Sequence, residues 1–172
     1  MIDDRMAAIR AVILDVDGVL TDGSIYMDGQ GRQSQRFNVR DGAAIKWLIR
    51  AGFTVAFLSG RSSEAVLARA RELGVQHVVQ GATDKLAAYQ ALREELGVGD
   101  PEVCYVGDDL HDLPILRRVG FPVTVADAVE EVLEVAHYVT RKPGGGGAVR
   151  ELAEIILKAR CLYDDLTKRY RI

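Results

Sequence analysis

Short, uniformly apolar runs alternate along the chain with longer segments in which apolar residues recur every three or four positions. The apolar runs lie at 11–15, 53–58, 75–79, 103–106 and 121–125, and a shorter one at 137–140 reads as an edge strand. They are apolar throughout rather than at every second position, as expected of strands covered on both faces. Between them, 42–51 carries Ile45, Leu48 and Ile49 at helical spacing, with Gly52 as its stop. Helices are also predicted over 63–73, 84–96 and 111–119, ending at Gly74, Gly97 and Gly120, and over about 148–160. Pro114 fits the third of these only in a first turn. Strand and helix in alternation predict an α/β fold, a doubly wound parallel sheet in one domain over 1–172.

Two segments depart from the pattern. Residues 24–38, "SIYMDGQGRQSQRFN", read as a β-hairpin around "DGQG" that interrupts the first crossover. An isolated two-stranded ribbon is marginal in water. Burial of Ile25 and Phe37 against copies from other subunits would stabilise it, which predicts an oligomer; a monomer with a mobile flap is the alternative. The second segment is "KPGGGGAVRE": Gly144 to Gly147 read as a flexible hinge or a place of close backbone approach. The charged tail "LYDDLTKRYRI" follows the last helix.

Composition acts mainly by exclusion. The 172 residues are 48% hydrophobic and 27% charged, with net charge −3 and no basic stripe, so nucleic acid is not the expected partner. No apolar run approaches the roughly 20 residues of a membrane span, and "MIDDRMAAIR" lacks the plan of a secretory signal. A cytoplasmic protein is expected. The two cysteines form no metal or disulfide pattern; Cys104, inside "EVCYVG", is a small core residue.

The chemistry sits where the apolar runs end. Asp15 and Asp17 end the first run, Ser59 the second, and Asp108, Asp109 and Asp112 follow "VCYV", while Lys85 opens the helix after "VVQGATD". Ligands of open α/β sheets bind beyond the carboxyl ends of the strands, so these groups should converge on one rim. Five carboxylates against one lysine cannot share a cleft uncompensated. Two like charges about 4 Å apart repel by about 4 kcal/mol at an effective dielectric of about 20. Hard oxygen ligands without a histidine cluster point to Mg²⁺, and Mg²⁺ with open positions invites a phosphate. Ser59 and Lys85 can bind phosphoryl oxygens, and Gly18 lets backbone N–H groups face an anion. One acid of the pair can attack phosphorus as a nucleophile while the other, two residues on and on the same side of the strand end, exchanges a proton with the leaving alcohol.

Bland roles compete at several positions. Ser59 also suits a helix N-cap, Asp109 a cap for the helix that follows, and Asp112 a surface acid. Arg61 and Arg69 could be solvated charges. Thr21 and Asp22 shape the loop that launches the hairpin. His77 and His137 read as packed residues, and His111 as a rim residue without direct chemistry.

"DVDGVLTDG", "SGR", "DK" and "GDDLHD", in this order, resemble the four motifs of the haloacid dehalogenase superfamily of phosphatases. With "FNVRDG", "QGATDK", "GDDLHDLP", "VADA" and "GGGGAVRE", the resemblance narrows to the 3-deoxy-D-manno-octulosonate 8-phosphate (KDO 8-phosphate) phosphatase family and spans nearly the whole chain. It implies a Rossmann-like sheet with a hairpin flap and no large cap domain. It implies Asp15 as nucleophile and Asp17 as general acid/base. Mg²⁺ would be held by the Asp15 and Asp108 side chains and the Asp17 carbonyl, with Ser59 and Lys85 on the phosphoryl group. Asp109 and Asp112 would hold waters or orient Lys85. It implies a homotetramer whose neighbouring subunit helps close the site, a glycine-rich C-terminal segment able to reach an adjacent site, and a role in lipopolysaccharide precursor synthesis. Sister enzymes acting on sialic-acid-type substrates such as KDN 9-phosphate are the alternative. They tend to carry a glutamate after the second-motif glycine, where this chain has Arg61, a better partner for an acidic sugar. Arg69 matches an arginine that both groups use toward the sugar carboxylate. Receiver modules of response regulators place similar groups at strand ends, but their acceptor aspartate follows the third strand, where this chain has Gln80 and Gly81.

Overall fold

A computed structural model describes residues 2–170, with side chains from Arg5 onward. Helix α1, Ile2–Ala8, leads into β1, Ala11–Leu14, and the flap follows as β2, Tyr26–Met27, and β3, Gln33–Ser34. Then come α2 (Val39–Arg50), β4 (Thr54–Leu58), α3 (Glu64–Leu73), β5 (His77–Val79) and α4 (Lys85–Leu96). The second half adds β6 (Val103–Val106), α5 (Leu113–Leu116), β7 (Phe121–Thr124), α6 (Glu130–Val135), β8 (Tyr138–Val139), α7 (Ala148–Ala159) and α8 (Tyr163–Thr167).

Six strands form one parallel sheet in the order β5-β4-β1-β6-β7-β8. Counted along those six, this is the doubly wound order 3-2-1-4-5-6. Connections run away from β1 in both directions, so a crevice opens beyond its carboxyl end. The uniformly apolar strands are explained by two cores. Val12, Leu14, Val55 and Phe57 face a layer that includes α2, α3 and α7. Ala11, Ile13, Ala56 and Leu58 face Tyr89 and Leu92 of α4 and Ile115 of α5. Full burial of each large apolar side chain contributes about 1.5–3 kcal/mol.

Several boundaries differ from those the residue pattern predicts. α2 begins at Val39, not 42, because the Asn38 side chain accepts hydrogen bonds from the N–H groups of Arg40 and Asp41 at 2.8 and 3.4 Å. Gly42 therefore lies within the helix, where a Cβ would stand 2.2 Å from an Arg69 guanidinium nitrogen. The helix expected over 111–119 shrinks to α5 behind a 3₁₀ turn at Leu110–Asp112, with Pro114 in its first turn. α1, α6 and α8 lie in segments where the apolar pattern marks no helix. The tail folds back on its own chain: Tyr163 meets Trp47 edge-on at 6.1 Å between ring centroids, and Tyr170 lies 6.3 Å from the same ring. Phe37, expected to need a neighbouring subunit, instead packs against the chain's own core.

The glycine-rich segment proves to be a place of close approach. The Gly145 N–H donates to the Val19 carbonyl at 3.0 Å, the Asn38 amide donates to the Gly145 carbonyl at 3.2 Å, and the Gly144 N–H donates to Asp127 Oδ1 at 2.9 Å. A Cβ on Gly144 would sit 1.7 Å from the Gly18 carbonyl oxygen, a backbone atom that cannot swing aside. Gly144→Ala should therefore lower stability by about 2 kcal/mol, the scale of an overpacked contact. It should also reduce turnover, because the displaced loop follows directly on Asp17; urea unfolding and steady-state kinetics on the same variant check both.

Candidate active site

The carboxyl ends of β1, β4 and β6 and the start of α4 enclose a cleft of about 490 Å³. Asp15, Asp17, Ser59, Lys85, Asp108 and Arg61 line it. Asp15 extends the β1 ladder, its N–H donating to the Val106 carbonyl at 2.9 Å, so its position is set by the middle of the sheet. Ser59 extends β4 in the same way, donating its N–H to the Val79 carbonyl at 2.9 Å. Its Oγ accepts the Arg61 N–H at 3.2 Å, so the hydroxyl fixes the local turn as well as facing the cleft.

Lys85 is the first residue of α4, where the helix dipole disfavours a cation. Two carboxylates offset that cost: its Nζ lies 2.9 Å from Asp15 Oδ1 and 2.6 Å from Asp112 Oδ1, all three side chains being buried. Asp112 is fully engaged. Its Oδ1 also accepts the Tyr105 hydroxyl at 2.6 Å, and its Oδ2 accepts the N–H groups of Asp108 and Asp109 at 3.0 and 3.3 Å. Asp109 is half-exposed at the cleft and caps the 3₁₀ turn, accepting the Leu110 N–H at 2.7 Å. Of the two acids expected to orient Lys85, Asp112 alone touches it.

The charge balance stays negative. Burial alone would raise the Asp15 pKa, but the His111 imidazole and the Lys85 ammonium outweigh it and hold the carboxyl below its usual range. Lys85 is likewise pulled toward the neutral form by burial and held in the charged form, its pKa raised, by Asp15 and Asp112. At Asp108 the charge of Lys85 is outweighed. Burial, and then the charges of Asp15 and Asp112, push its pKa up to about 8. Its Oδ1 is buried without a hydrogen-bond partner. An orphaned carboxylate oxygen beside Asp15 fits a divalent cation, and the all-oxygen donor set suits Mg²⁺.

Asp15, His111 and Asp112 also bring possible ligand atoms within 4.8 Å of one another. Asp112 has no lone pair to spare in that group, since lysine, tyrosine and two backbone donors occupy it. Asp15 with Asp108 is therefore the better cation pair. His111 is nearer the chemistry than its sequence context implied: Nε2 lies 3.9 Å from Asp15 Oδ2 and 3.8 Å from Asp112 Oδ2, contacts of charge rather than formed hydrogen bonds. The Asp15 carboxylate raises the His111 pKa.

Around these groups the loop after Asp17 is tightly turned. Gly18 takes φ +90°, and a Cβ there would lie 2.0 Å from Asp108 Oδ2. Its N–H is directed at Thr21 Oγ1 at 3.3 Å rather than left free for an anion. Thr21 and Asp22 shape the loop, accepting the N–H groups of Gly23 and Ser24 at 3.1 and 3.0 Å. Arg61 is half-exposed with Nε 3.9 Å from Asp17 Oδ2. Arg69 is not brought to the cleft of its own chain. It is largely buried against α2, donating to the Asn38 carbonyl at 3.1 Å and pairing with Glu72 at 2.8 Å. Two glutamines that no motif marked, Gln33 and Gln35, reach from the flap to Arg61 and Asp17. Their spacing of two along the flap was the available signal.

A parallel sheet carrying acids at its central carboxyl edge, with serine and lysine opposite, defines a haloacid dehalogenase-type hydrolase; the sequence profile of the haloacid dehalogenase-like hydrolases matches residues 74–152. The 3-deoxy-D-manno-octulosonate 8-phosphate phosphatase KdsC of Yersinia pestis is 49% identical over 156 residues, 91% of this chain and 83% of that protein. The crystal structure of the Moraxella catarrhalis phosphatase of the same name, in complex with magnesium, phosphate and KDO, superposes with TM-score 0.95 at 40% identity, covering 98% of this chain and 97% of that one. A probable YrbI family phosphatase from Pseudomonas syringae superposes with TM-score 0.96 at 44% identity, covering 99% and 97%. The chain belongs to the KDO 8-phosphate phosphatase family.

The charge imbalance gives the metal-free protein a pH dependence. In the folded chain Asp108, and more weakly His111, keep protons that the unfolded chain has released. Stability in chelator should therefore fall as pH rises from about 4 to about 8. Saturating Mg²⁺ should flatten the slope, because a cation then replaces the proton. Urea midpoints at about pH 5 and about pH 8, with and without Mg²⁺, measure both slopes.

Proposed function

We propose that the protein is an Mg²⁺-dependent phosphatase that hydrolyses KDO 8-phosphate to KDO and inorganic phosphate. The observation that carries this is the joint placement of Asp15 and Asp17 at the end of the central strand, against buried Lys85 and the unpartnered oxygen of Asp108. The likeness to named KDO 8-phosphate phosphatases, one solved with magnesium, phosphate and KDO, supports the substrate and the metal.

Asp15 attacks phosphorus, forming an aspartyl-phosphate as the bond from phosphorus to the sugar oxygen breaks. Asp17 gives its proton to that oxygen, which leaves as the alcohol. Asp17 then takes a proton from the water that attacks the aspartyl-phosphate, restoring Asp15 and releasing phosphate. Ser59 and Lys85 hold the phosphoryl oxygens, and Lys85 also keeps Asp15 ionised and oriented through the 2.9 Å contact. The Asp15 and Asp108 carboxylates and the Asp17 carbonyl hold Mg²⁺. When bound, the ion neutralises their charge and polarises the phosphoryl group. Asp112 positions Lys85, and Arg61 at the mouth of the cleft recognises the acidic sugar.

The working form is a homotetramer of single-domain chains, the flap about 24–38 being its contact. The exposure of Ile25, Tyr26, Met27 and Val39 supports that reading. A cytoplasmic place in lipopolysaccharide precursor synthesis follows from the substrate. None of the helices among the described residues is long and apolar enough to cross a membrane.

Asp15→Asn should lower turnover by about three orders of magnitude or more while leaving the circular dichroism spectrum unchanged. Phosphate release with Mg²⁺ from KDO 8-phosphate should exceed release from KDN 9-phosphate, and Arg61→Glu should narrow the gap. No release from any 2-keto-3-deoxy sugar acid phosphate would remove the proposal.

A further inference from the structure

We propose that Gln35 of the flap is a positioning residue for Asp17, holding one carboxylate oxygen so that the other is presented to the leaving group. This rests on the reading of Asp17 as the general acid. Gln33 opens β3 and Gln35 directly follows that strand, two residues on, and both side chains reach the same side of the flap. Both reach residues that line the cleft. Gln35 Nε2 donates to Asp17 Oδ1 at 2.6 Å. Its Oε1 accepts the Ser63 hydroxyl at 2.8 Å. Ser63 is fixed in turn, its N–H donating to Gln80 Oε1 at 2.7 Å.

These bonds give the Gln35 amide one consistent orientation. A serine hydroxyl can donate to the carbonyl end, and a carboxylate can accept only from the nitrogen end. The glutamine therefore links Asp17, after β1, to Ser63, at the head of α3. Gln33 makes the parallel link, accepting from an Arg61 guanidinium nitrogen at 2.9 Å. Arg61 Nε in turn lies 3.9 Å from Asp17 Oδ2, the oxygen that Gln35 leaves free.

An aspartate side chain turns on two bonds, and Asp17 is only partly buried. Without Gln35 its carboxyl can rotate away from the leaving oxygen, and proton delivery depends on reach and alignment. Attack by Asp15 does not depend on that alignment. The consequence is selective in the first step, formation of the aspartyl-phosphate: an alkyl phosphate, whose alcohol leaves poorly without a proton, suffers, whereas an aryl phosphate with a stable phenolate leaving group is affected far less.

The test compares turnover of KDO 8-phosphate and p-nitrophenyl phosphate by the full chain with Mg²⁺. Gln35→Ala should shift the ratio of kcat/KM values about 10-fold against the sugar phosphate, because kcat/KM reports the steps through aspartyl-phosphate formation and leaves out the hydrolysis in which Asp17 serves both substrates alike. Ser63→Ala should shift it the same way by less, and the double variant should show less than the sum, because both act through one amide. Asp17→Asn sets the scale and should shift the ratio furthest. If Asp17→Asn shifts the ratio and Gln35→Ala does not, the positioning role is overturned and the function of Asp17 stands. If neither shifts it, Asp17 is not the general acid and the role of Gln35 falls with it. Equal loss of kcat/KM on both substrates by Gln35→Ala, or a lowered melting temperature that accounts for the loss, also overturns the proposal.

Discussion

Lys85 holds a buried positive charge between two buried carboxylates, and the placement of the other reacting groups follows from that contact. It joins the end of β1 through Asp15 to the turn after β6 through Asp112, and it does so from the first residue of α4. Removing one partner from a buried ion pair typically costs about 3–5 kcal/mol, because the remaining charge is stranded. Three segments far apart in the chain are thereby held in one register. The same triad determines what the rim lacks. Lys85 contacts Asp15 and Asp112, and its charge does not offset burial at Asp108, whose buried oxygen has no partner and whose carboxyl resists ionisation. A rigid anionic rim with one unsatisfied acid is a site for a cation, and a cation there draws a phosphate.

Close backbone packing supplies the second constraint. The loop from Gly18 to Gly23 leaves the cleft, turns on Thr21, and is pinned from behind by Gly144 and Gly145. Side chains are excluded at those contacts because backbone meets backbone. The loop is thus held without a large cap above it, and the short flap that it launches can lie over the cleft edge. The hairpin is only two residues deep on each side, yet its glutamines reach the chemistry while its apolar residues face outward. Met27 stands opposite Gln33 in the ladder, so exposed apolar and polar side chains share one face of the ribbon.

Asp15, Ser59, Lys85 and Asp108 were legible from the chain alone because each follows an apolar run or opens a helix, and a doubly wound sheet delivers such positions to one edge. Asp109 and Asp112 were not separable in the same way. They lie in one short turn, and which of them faces inward depends on the 3₁₀ rotation that carries Asp112 under Lys85 and leaves Asp109 as a cap. Arg69 resembled a substrate ligand, but the small volume of Gly42 lets its guanidinium settle against α2. Gln33 and Gln35 carry no charge and belong to no motif, so only their contacts reveal them.

The alternation of apolar runs and helical periods, with acids at the run ends, carries the architecture and the type of chemistry, because burial of strands and capping of their ends are local requirements. Which acid pairs with the lysine, which is left for a cation, whether four glycines bend or clasp, and what the flap touches are decided by groups distant in the chain. Those outcomes depend on distances of a few ångströms between separate elements, and such distances exist only once the sheet, its helices and the flap have packed.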